Sequence, residues 1–397
     1  MKRPHLEVAD IIRAVGKSFL QQRSRLSGLH LKVLSAIERC RTAALGGHRD
    51  RCTRCSYTAA ISYNSCCNRH CPKCQSNARD KWLEARQNEF LPVSYAHVVF
   101  TLPRQLADVA FHNKRLLYGL LFRASAATLL EVAADSKHLG AEIGFLSVLH
   151  TWGQNLVHHP HLHCVVPTGG LSPDHKVWVR SRYRFFLPVK VLSRVFRGKF
   201  VASLKQAYHN NKLCLPGELQ SLEQPKAFRS FLRSLFRQDW VVYSKPPFAG
   251  PRHVLNYLAR YTHRVAISNH RLVAFDDGKV TFRWKDYAHG NRQRLMTLTA
   301  EEFLRRFLQH VLPRGFVRIR YFGFLASRKR GELLPVCRQL LDGPPTSHTR
   351  AKMSARSQAP ASWNCPRCGG AMIVIERLDP QQTQWESAGR RKYFDTS

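Results

Sequence analysis

Two Cys-x2-Cys pairs near the amino terminus constrain the fold of this chain more than any other sequence feature. Cys52 and Cys55 form the first pair, and Cys71 and Cys74 form the second, with fifteen residues between the pairs. This spacing is typical of a structural tetrahedral zinc site in which each pair supplies two thiolates. The sequence therefore predicts one zinc site closed by these four cysteines, and the alternative is a set of buried free thiols.

Three further residues near these pairs are of types that bind zinc: Cys66, His70 and His48. Each could replace a thiolate of the predicted site or belong to a second site, and a structural role without metal is the alternative. Basic residues alternate with the ligands, so the same module is predicted to bind nucleic acid. The residues assigned to that contact are Arg51, Arg54, Arg69 and Lys73.

The charge balance indicates a polyanionic partner. The 397 residues include 63 Lys and Arg against 26 Asp and Glu, which gives a formal net charge of +37. DNA is favoured over an anionic membrane because no apolar run has spanning length. The amino terminus shows no apolar signal core, so we expect a cytoplasmic, nucleoid-associated protein. Twelve cysteines in a reducing compartment then indicate metal ligation rather than disulfides.

The stretch HHPHLHC is the predicted centre of the chemistry. Its flanks indicate a strand, on which side chains alternate between faces, so His161 and His163 share one face. Two such imidazoles can hold a divalent metal, Mg²⁺ or Mn²⁺, although a pair of partly exposed histidines is the common alternative. Gln154, on the preceding strand, is the candidate third ligand. His158 and His159, at the turn, are predicted to contact DNA or solvent.

Two tyrosines are candidate nucleophiles for the same site. Tyr257 and Tyr261 stand four residues apart, a spacing that places both on one face of a helix. Arg260 and Arg264 repeat that spacing on a neighbouring face and are predicted to bind nucleic acid. A phenol oxygen beside a metal-bound phosphate can attack phosphorus and keep the 5′ end as a phosphotyrosine. The bond energy is conserved, so strands can be rejoined. The alternative is a pair of amphipathic tyrosines packed in a core.

The order of the predicted elements indicates an α+β fold. Helices are predicted at the amino terminus and at 104–134, and strands at 96–103, at 144–152 and in the histidine stretch. This order favours an antiparallel sheet with helices packed on it. A later strand carries Arg318 and Arg320, which are predicted to contact DNA, with a core edge as the alternative.

Three regions are predicted along the chain. A zinc-binding, DNA-binding domain occupies 1–92, a catalytic domain occupies 93–342, and a flexible tail occupies 343–397. The tail carries one further knuckle, Cys365 and Cys368, which has no clear second half. The nearest candidate partners of this knuckle are Cys337 and His348.

The motifs HPHLH, YLARYTHR, CTRC and SCCNRHCPKCQ resemble those of rolling-circle transposases of the IS-ninety-one type, a branch of the HUH single-strand endonucleases. The likeness covers nearly the whole chain. It implies an amino-terminal zinc-binding domain, an antiparallel catalytic sheet and a two-tyrosine helix. By this resemblance His161 and His163 would bind the metal. Tyr257 and Tyr261 would nick and rejoin single-stranded DNA at transposon ends. Cys67 departs from the family pattern, which makes Cys66 the better ligand.

Two other functions stay open from the sequence. A replication initiator or a relaxase would use the same chemistry in another biological role. A zinc-dependent nucleic-acid-binding protein without catalysis would need the histidine and tyrosine pairs only for structure. The sequence contains no helicase-type phosphate loop (GxxxxGK[ST]), so host replication or helicase proteins would have to unwind the DNA.

Overall fold

A computed structural model describes most of the chain: residues 4–22, 26–75, 82, 84, 89–181, 186–248, 266–286, 290–342 and 363–384. Its strands, in chain order, are β1 Gly47–Cys52, β2 Ser62–Tyr63, β3 Tyr95–Thr101, β4 Gly144–Trp152, β5 His158–Pro167, β6 Gly169–Leu171, β7 Trp178–Arg180, β8 Val242–Phe248, β9 Leu272–Asp276, β10 Lys279–Asp286, β11 Arg292–Thr299, β12 Ile319–Gly323 and β13 Met372–Leu378. Its helices are α1 Val8–Gln22, α2 Gly28–Arg39, α3 Ala107–His112, α4 Lys114–Ala134, α5 Val189–His209, α6 Pro225–Ser234, α7 Ala300–Gln309 and α8 Arg330–Asp342. The predicted α+β class with an antiparallel sheet is confirmed.

Five strands form the central antiparallel sheet, in the order β12-β4-β5-β3-β8. Side chains of β5 alternate between its faces, so Leu162, Cys164 and Val166 belong to the main apolar core with α4 and α5. His161 and His163 therefore lie on the opposite face. The helix layer covers one side of the sheet and leaves the histidines on the other.

Helix α4 is the central helix of that core. Leu117, Phe122 and Leu129 are buried in it, and α5 packs alongside. By length and composition α4 would also suit a membrane span, but most of its apolar window is buried inside the protein. This burial is what a core helix requires.

A second core combines elements from distant parts of the chain. Helices α1 and α2 share an apolar cluster with α7 and with the sheet β11-β10-β9, and Phe19, Phe282 and Phe303 are fully buried there. The hydroxyl of Thr299 accepts from the main-chain N–H of Glu302 and so caps α7. One core thus contains residues from both sides of the predicted boundary at residue 92.

A third sheet joins the two ends of the described chain. Strand β13 pairs with β1 through six residue pairs, from Gly47 opposite Leu378 to Cys52 opposite Met372, and β2 lies on the other side of β1. The prediction of a flexible tail is therefore wrong for residues 363–384. The pattern of one short strand does not reveal a partner that lies about 320 residues earlier. The predicted linker before it lies outside the described residues.

Candidate active site and metal centres

Three histidines from two adjacent strands meet on the face of the central sheet that points away from α4 and α5. In the hairpin of β4 and β5, His150 stands directly opposite His161, and Val148 stands opposite His163. One ring nitrogen from each of the three histidines lies within 4.8 Å of the other two. His150 and His163 are buried, and His161 is half-buried. The structure thus brings the two motif histidines together and adds a third.

His150, and not Gln154, is the third donor that the hairpin provides. Gln154 lies in the turn between the strands, beyond the pair formed by Trp152 and His158. His158 itself stands three residues from His161, which is roughly 10 Å at strand spacing. The structure therefore contradicts the prediction of Gln154 as a ligand. The sequence analysis chose Gln154 by its distance along the chain from His161. That choice failed because the residue opposite His161 depends on the length of the turn between the two strands.

Hydrogen bonds orient the rings of the two motif histidines. His161 Nδ1 donates to the main-chain carbonyl of His159 at 2.7 Å, which leaves its Nε2 with the lone pair that a metal requires. His163 Nδ1 lies 2.8 Å from Nε2 of His97 on β3, and the two rings are parallel within 7°. Such partners fix the ring orientation and the tautomer of a metal ligand. The sequence reasoning missed His97, although a lone histidine in the apolar run AHVVF was a usable signal.

Burial keeps the histidines of this region neutral. Desolvation lowers the pKa of His161 to about 4 and the pKa of His158 to about 3. Neutral imidazole is the form that binds metal, so His161 is competent at neutral pH. His158 faces the core, where Tyr118 Oη lies 2.8 Å from its Nε2. The prediction that His158 contacts DNA or solvent is therefore wrong, whereas His159 is exposed.

The second predicted knuckle, Cys71 and Cys74, belongs to a cluster of four cysteines that does not include the first knuckle. Cys71 and Cys74 meet Cys66 and Cys40, and all four Sγ atoms lie within 4.8 Å of one another. Cys74 Sγ is 3.5 Å from Cys40 Sγ and 3.6 Å from Cys66 Sγ. Cys40, which directly follows α2, was missed because it has no nearby Cys-x2-Cys spacing. The set matches the donors of a four-thiolate zinc site.

The first predicted knuckle lies in a separate cluster. Cys52 and Cys55 meet Cys365 and Cys368, and these four Sγ atoms also lie within 4.8 Å of one another. The prediction of one site closed by Cys52, Cys55, Cys71 and Cys74 is therefore wrong. Sequence spacing alone favoured the nearer pair, whereas the fold brings the carboxyl-terminal pair into place through β13.

The other predicted zinc-ligand candidates have different contacts. His70 Nε2 accepts from the main-chain N–H of Leu312 at 3.1 Å, and its ring is buried. The structure thus contradicts His70 as a ligand. His48 lies beside Asp50, with Nε2 to Oδ2 at 3.6 Å. Cys337 is buried in another apolar cluster, and His348 lies outside the described residues.

Two family models match the chain: one described as "Putative transposase" over residues 144–332, and one described as "Transposase zinc-binding domain" of the IS91 type over residues 11–102. A relative named "Putative transposase y4qJ", from Sinorhizobium fredii, is 54% identical over 96% of this chain and 97% of its own length. The chain belongs to the IS91-type transposases. The "Transposase for insertion sequence element IS801" of Pseudomonas savastanoi pv. phaseolicola is 28% identical over 90% of this chain and 86% of its own length. No solved structure matches significantly.

The family assignment agrees with the geometry of the two parts of the transposase. The three histidines fall inside the transposase match, and Cys40, Cys66, Cys71 and Cys74 fall inside the zinc-binding match. The matched domain and the thiol clusters together support structural zinc. Cys365 and Cys368 lie beyond both matches.

Two basic residues predicted to grip DNA are instead used inside the transposase. The guanidinium of Arg69 donates to the main-chain carbonyls of Phe316 at 2.6 Å and Pro313 at 2.8 Å. Lys73 Nζ pairs with Glu7 Oε2 at 2.5 Å, and both side chains are almost buried. Cations held in this way stabilise the fold and do not reach a phosphate, so the structure contradicts both predictions.

The two arginines predicted on a late strand are also held internally. Arg318 is buried, and desolvation lowers its pKa to about 10. The guanidinium of Arg320 lies over the ring of Phe122, 4.2 Å from its centroid, on the helix side of the sheet. Neither residue lies exposed beside the histidines as a DNA platform. Arg54, by contrast, is exposed.

The tyrosine motif of the transposase falls in a part of the chain that the structure does not describe. Tyr257, Tyr261, Arg260 and Arg264 all lie outside the described residues. Before them the chain forms β8, at the edge of the central sheet next to β3. After them, Ala266 and Ile267 belong to the same apolar cluster as Leu156, which lies in the turn of the histidine hairpin. The two flanking segments are therefore both tied to the core of the fold.

Proposed function

We propose that this transposase nicks and rejoins single-stranded DNA at the ends of its element through a 5′-phosphotyrosine intermediate. The observation that carries the proposal is the cluster of His150, His161 and His163 on the face of the central sheet that points away from α4 and α5. A site of neutral nitrogen donors in a strongly basic protein suits a metal-assisted reaction of a phosphodiester. The tyrosine pair of the sequence and the membership of a transposase family support the rest of the proposal.

The three histidines fit a divalent ion, and their nitrogen donors favour Mn²⁺ over Mg²⁺ in affinity. A bound ion would polarise the scissile phosphate and stabilise the charge that develops on the leaving 3′ oxygen. His97 would hold the His163 ring in place, and the His159 carbonyl would hold the His161 ring. The protein thereby fixes the direction of the donors before DNA arrives.

Tyr257 and Tyr261 are the proposed nucleophiles. The phenol oxygen forms a bond to phosphorus while the bond from phosphorus to the 3′ oxygen breaks. The phenol proton leaves to solvent, and the departing 3′ oxygen takes up a proton. Attack by a free 3′-OH on the phosphotyrosine reverses the step and joins strands. Two tyrosines would let the transposase hold two strand ends in alternation.

Cys40, Cys66, Cys71 and Cys74 are the proposed ligands of a structural zinc. Their Sγ atoms have the separation of a four-thiolate site, and the site joins the end of α2 to the SCCNRHCPKC loop. The net charge of +37 and the exposed Arg54 support binding of DNA. We place the protein in the cytoplasm with the nucleoid, where host helicases would provide single strands.

The test uses labelled single-stranded DNA from the flanks of the gene, with Mn²⁺ or Mg²⁺. We expect covalent protein–DNA adducts on denaturing gels, and we expect them to disappear in the Tyr257→Phe, Tyr261→Phe double variant. Tyr243→Phe is the matched control, because Tyr243 is half exposed on β8 and aligned through Val99 with His163. Adducts that persist in the double variant would refute the nucleophile assignment. An absence of adducts with every flank and metal would favour a purely DNA-binding role.

A further inference from the structure

We infer that Cys52, Cys55, Cys365 and Cys368 form a second zinc site, which fastens the carboxyl-terminal segment to the amino-terminal module. The matched zinc-binding domain ends at residue 102, so it does not include the last two of these residues. The inference goes beyond the proposed function and is independent of the histidine cluster. It assigns a metal to a site that is built from both ends of the described chain.

The separations of the sulfurs fit tetrahedral coordination. Cys52 Sγ lies 3.5 Å from Cys368 Sγ, and Cys55 Sγ lies 3.6 Å from Cys365 Sγ. Zinc–sulfur bonds of about 2.3 Å place tetrahedral thiolates about 3.8 Å apart. A disulfide would instead bring two sulfurs to about 2.05 Å. The four cysteines are free in this structure, and their sulfurs surround a common centre.

The main chain around the first knuckle points N–H groups at sulfur. The N–H groups of Arg54 and Cys55 lie 3.3 Å and 3.5 Å from Cys52 Sγ. Donors directed at a sulfur stabilise the thiolate, which is the form that binds zinc. This arrangement is the one that a Cys-x2-Cys loop must adopt to present both sulfurs to one ion.

The second knuckle is shaped around the same centre. Cys365 N–H donates to the Gly370 carbonyl at 2.7 Å, and Gly369 N–H donates to the Cys365 carbonyl at 2.9 Å. A Cβ at position 370 would lie 3.1 Å from Cys52 Sγ and 3.3 Å from Cys368 Sγ. Glycine at this position therefore leaves the space that the sulfurs occupy.

The part of the protein formed by β1, β13 and the two knuckles has few apolar contacts among the described residues. Among the described residues, its apolar cluster contains three of the four cysteines together with Met372, Tyr57 and Ala59. One ion pair also joins the two strands, with Arg49 Nη1 on β1 lying 2.9 Å from Glu376 Oε2 on β13. The pair is half-exposed, so it contributes little to the stability of the sheet. Small modules of this kind usually depend on a metal or a disulfide for their stability. A zinc ion would supply the missing stabilisation of the β1–β13 sheet.

The first test measures metal bound to thiolates in the full-length protein after reconstitution with Co²⁺. Thiolate-to-cobalt charge transfer reports only cysteine sites, so the histidine cluster does not contribute. We expect two thiolate-bound ions per chain in the unmodified protein and one in Cys365→Ser, Cys368→Ser. The double variant Cys66→Ser, Cys74→Ser should lose the other ion. The control Cys214→Ser should lose none, because Cys214 is exposed and belongs to neither cysteine cluster of the described residues. Unchanged absorbance in the carboxyl-terminal variant, or two disulfides found by mass spectrometry, would overturn the inference.

A second test checks the fastening without any cysteine substitution. A protease recognition sequence inserted between residues 350 and 356 allows the chain to be cut before the second knuckle. We expect the carboxyl-terminal fragment to co-elute with the rest of the protein and to separate after a chelator removes the metal. A fragment that stays bound in metal-free protein would show that zinc does not fasten it. Neither readout depends on adduct formation, so this inference and the proposed function fail separately.

Discussion

Replacing His97 by leucine should weaken metal binding at the histidine cluster without removing a ligand. His97 Nε2 lies 2.8 Å from His163 Nδ1, and His97 is buried. If His163 binds the ion through Nε2, its Nδ1–H donates to His97. Loss of such an outer partner typically costs 10- to 100-fold in metal affinity. That range corresponds to about 1.4–2.8 kcal/mol.

The assay is the rate of adduct formation as a function of Mn²⁺ concentration. In His97→Leu the half-saturating concentration should rise about 10- to 100-fold, with a maximal rate close to that of the unmodified protein. His97→Gln, whose amide oxygen can accept from His163, should recover part of the loss. Val99→Ala is the matched control. Val99 lies on β3 two residues after His97, on the same face, and stands opposite His163 on β5. Its side chain can donate no hydrogen bond. A half-saturating Mn²⁺ concentration that is the same in His97→Leu and Val99→Ala would refute the orienting role of His97.

The remaining predictions concern other residues of the histidine cluster, of the buried core and of the basic surface. His150→Ala should reduce adduct yield at limiting Mn²⁺ at least tenfold, whereas Gln154→Ala should leave it nearly unchanged; a reversed order would restore Gln154 as the ligand. His310 directly follows α7 and is buried, and its Nε2 lies 3.1 Å from the main-chain carbonyl oxygen of Leu156. Burial lowers the pKa of His310 to about 3 from an ordinary 6.5, so the unfolded chain binds more protons between these values. The free energy of unfolding should therefore fall with decreasing pH from about 6.5, by up to about 1.4 kcal/mol per pH unit for this histidine. When urea titrations are repeated at several pH values, the free energy of unfolding of His310→Gln should depend less steeply on pH than that of the unmodified protein. Lys73→Met should remove the cation that pairs with the almost buried carboxylate of Glu7 and cost about 3 kcal/mol of stability, measured by urea unfolding. Arg54→Ala should preserve stability and lower the salt dependence of DNA binding by about one phosphate contact.

Local patterns predicted the parts of the site that depend on neighbouring residues. The placement of His161 and His163 on one face follows from strand alternation alone, and the structure shows it. The grouping of Cys66 with Cys71 and Cys74 was also within reach, because all three lie in one loop. Such features need only the period of a strand or the geometry of a knuckle.

Features that depend on long-range pairing could not be predicted. His150 becomes the partner of His161 through the hairpin register, and Cys365 reaches Cys55 from 310 positions away. The roles of Arg69 and Lys73 failed for another reason: composition counts cations but does not tell which of them are satisfied inside the fold. A charge excess predicts a polyanionic partner, and only coordinates show which side chains can reach it.

The pairing of β1 with β13 can form only late in the synthesis of the chain. About 320 residues separate the end of β1 from the start of β13. At translation speeds of about 5–20 residues per second, β1 waits roughly 15 to 60 s before its neighbour emerges from the ribosome. During that interval one edge of β1 lacks its neighbouring strand, and Cys52 and Cys55 lack their companions. A polypeptide that terminates early would keep this exposed edge, which is open to pairing with other nascent chains.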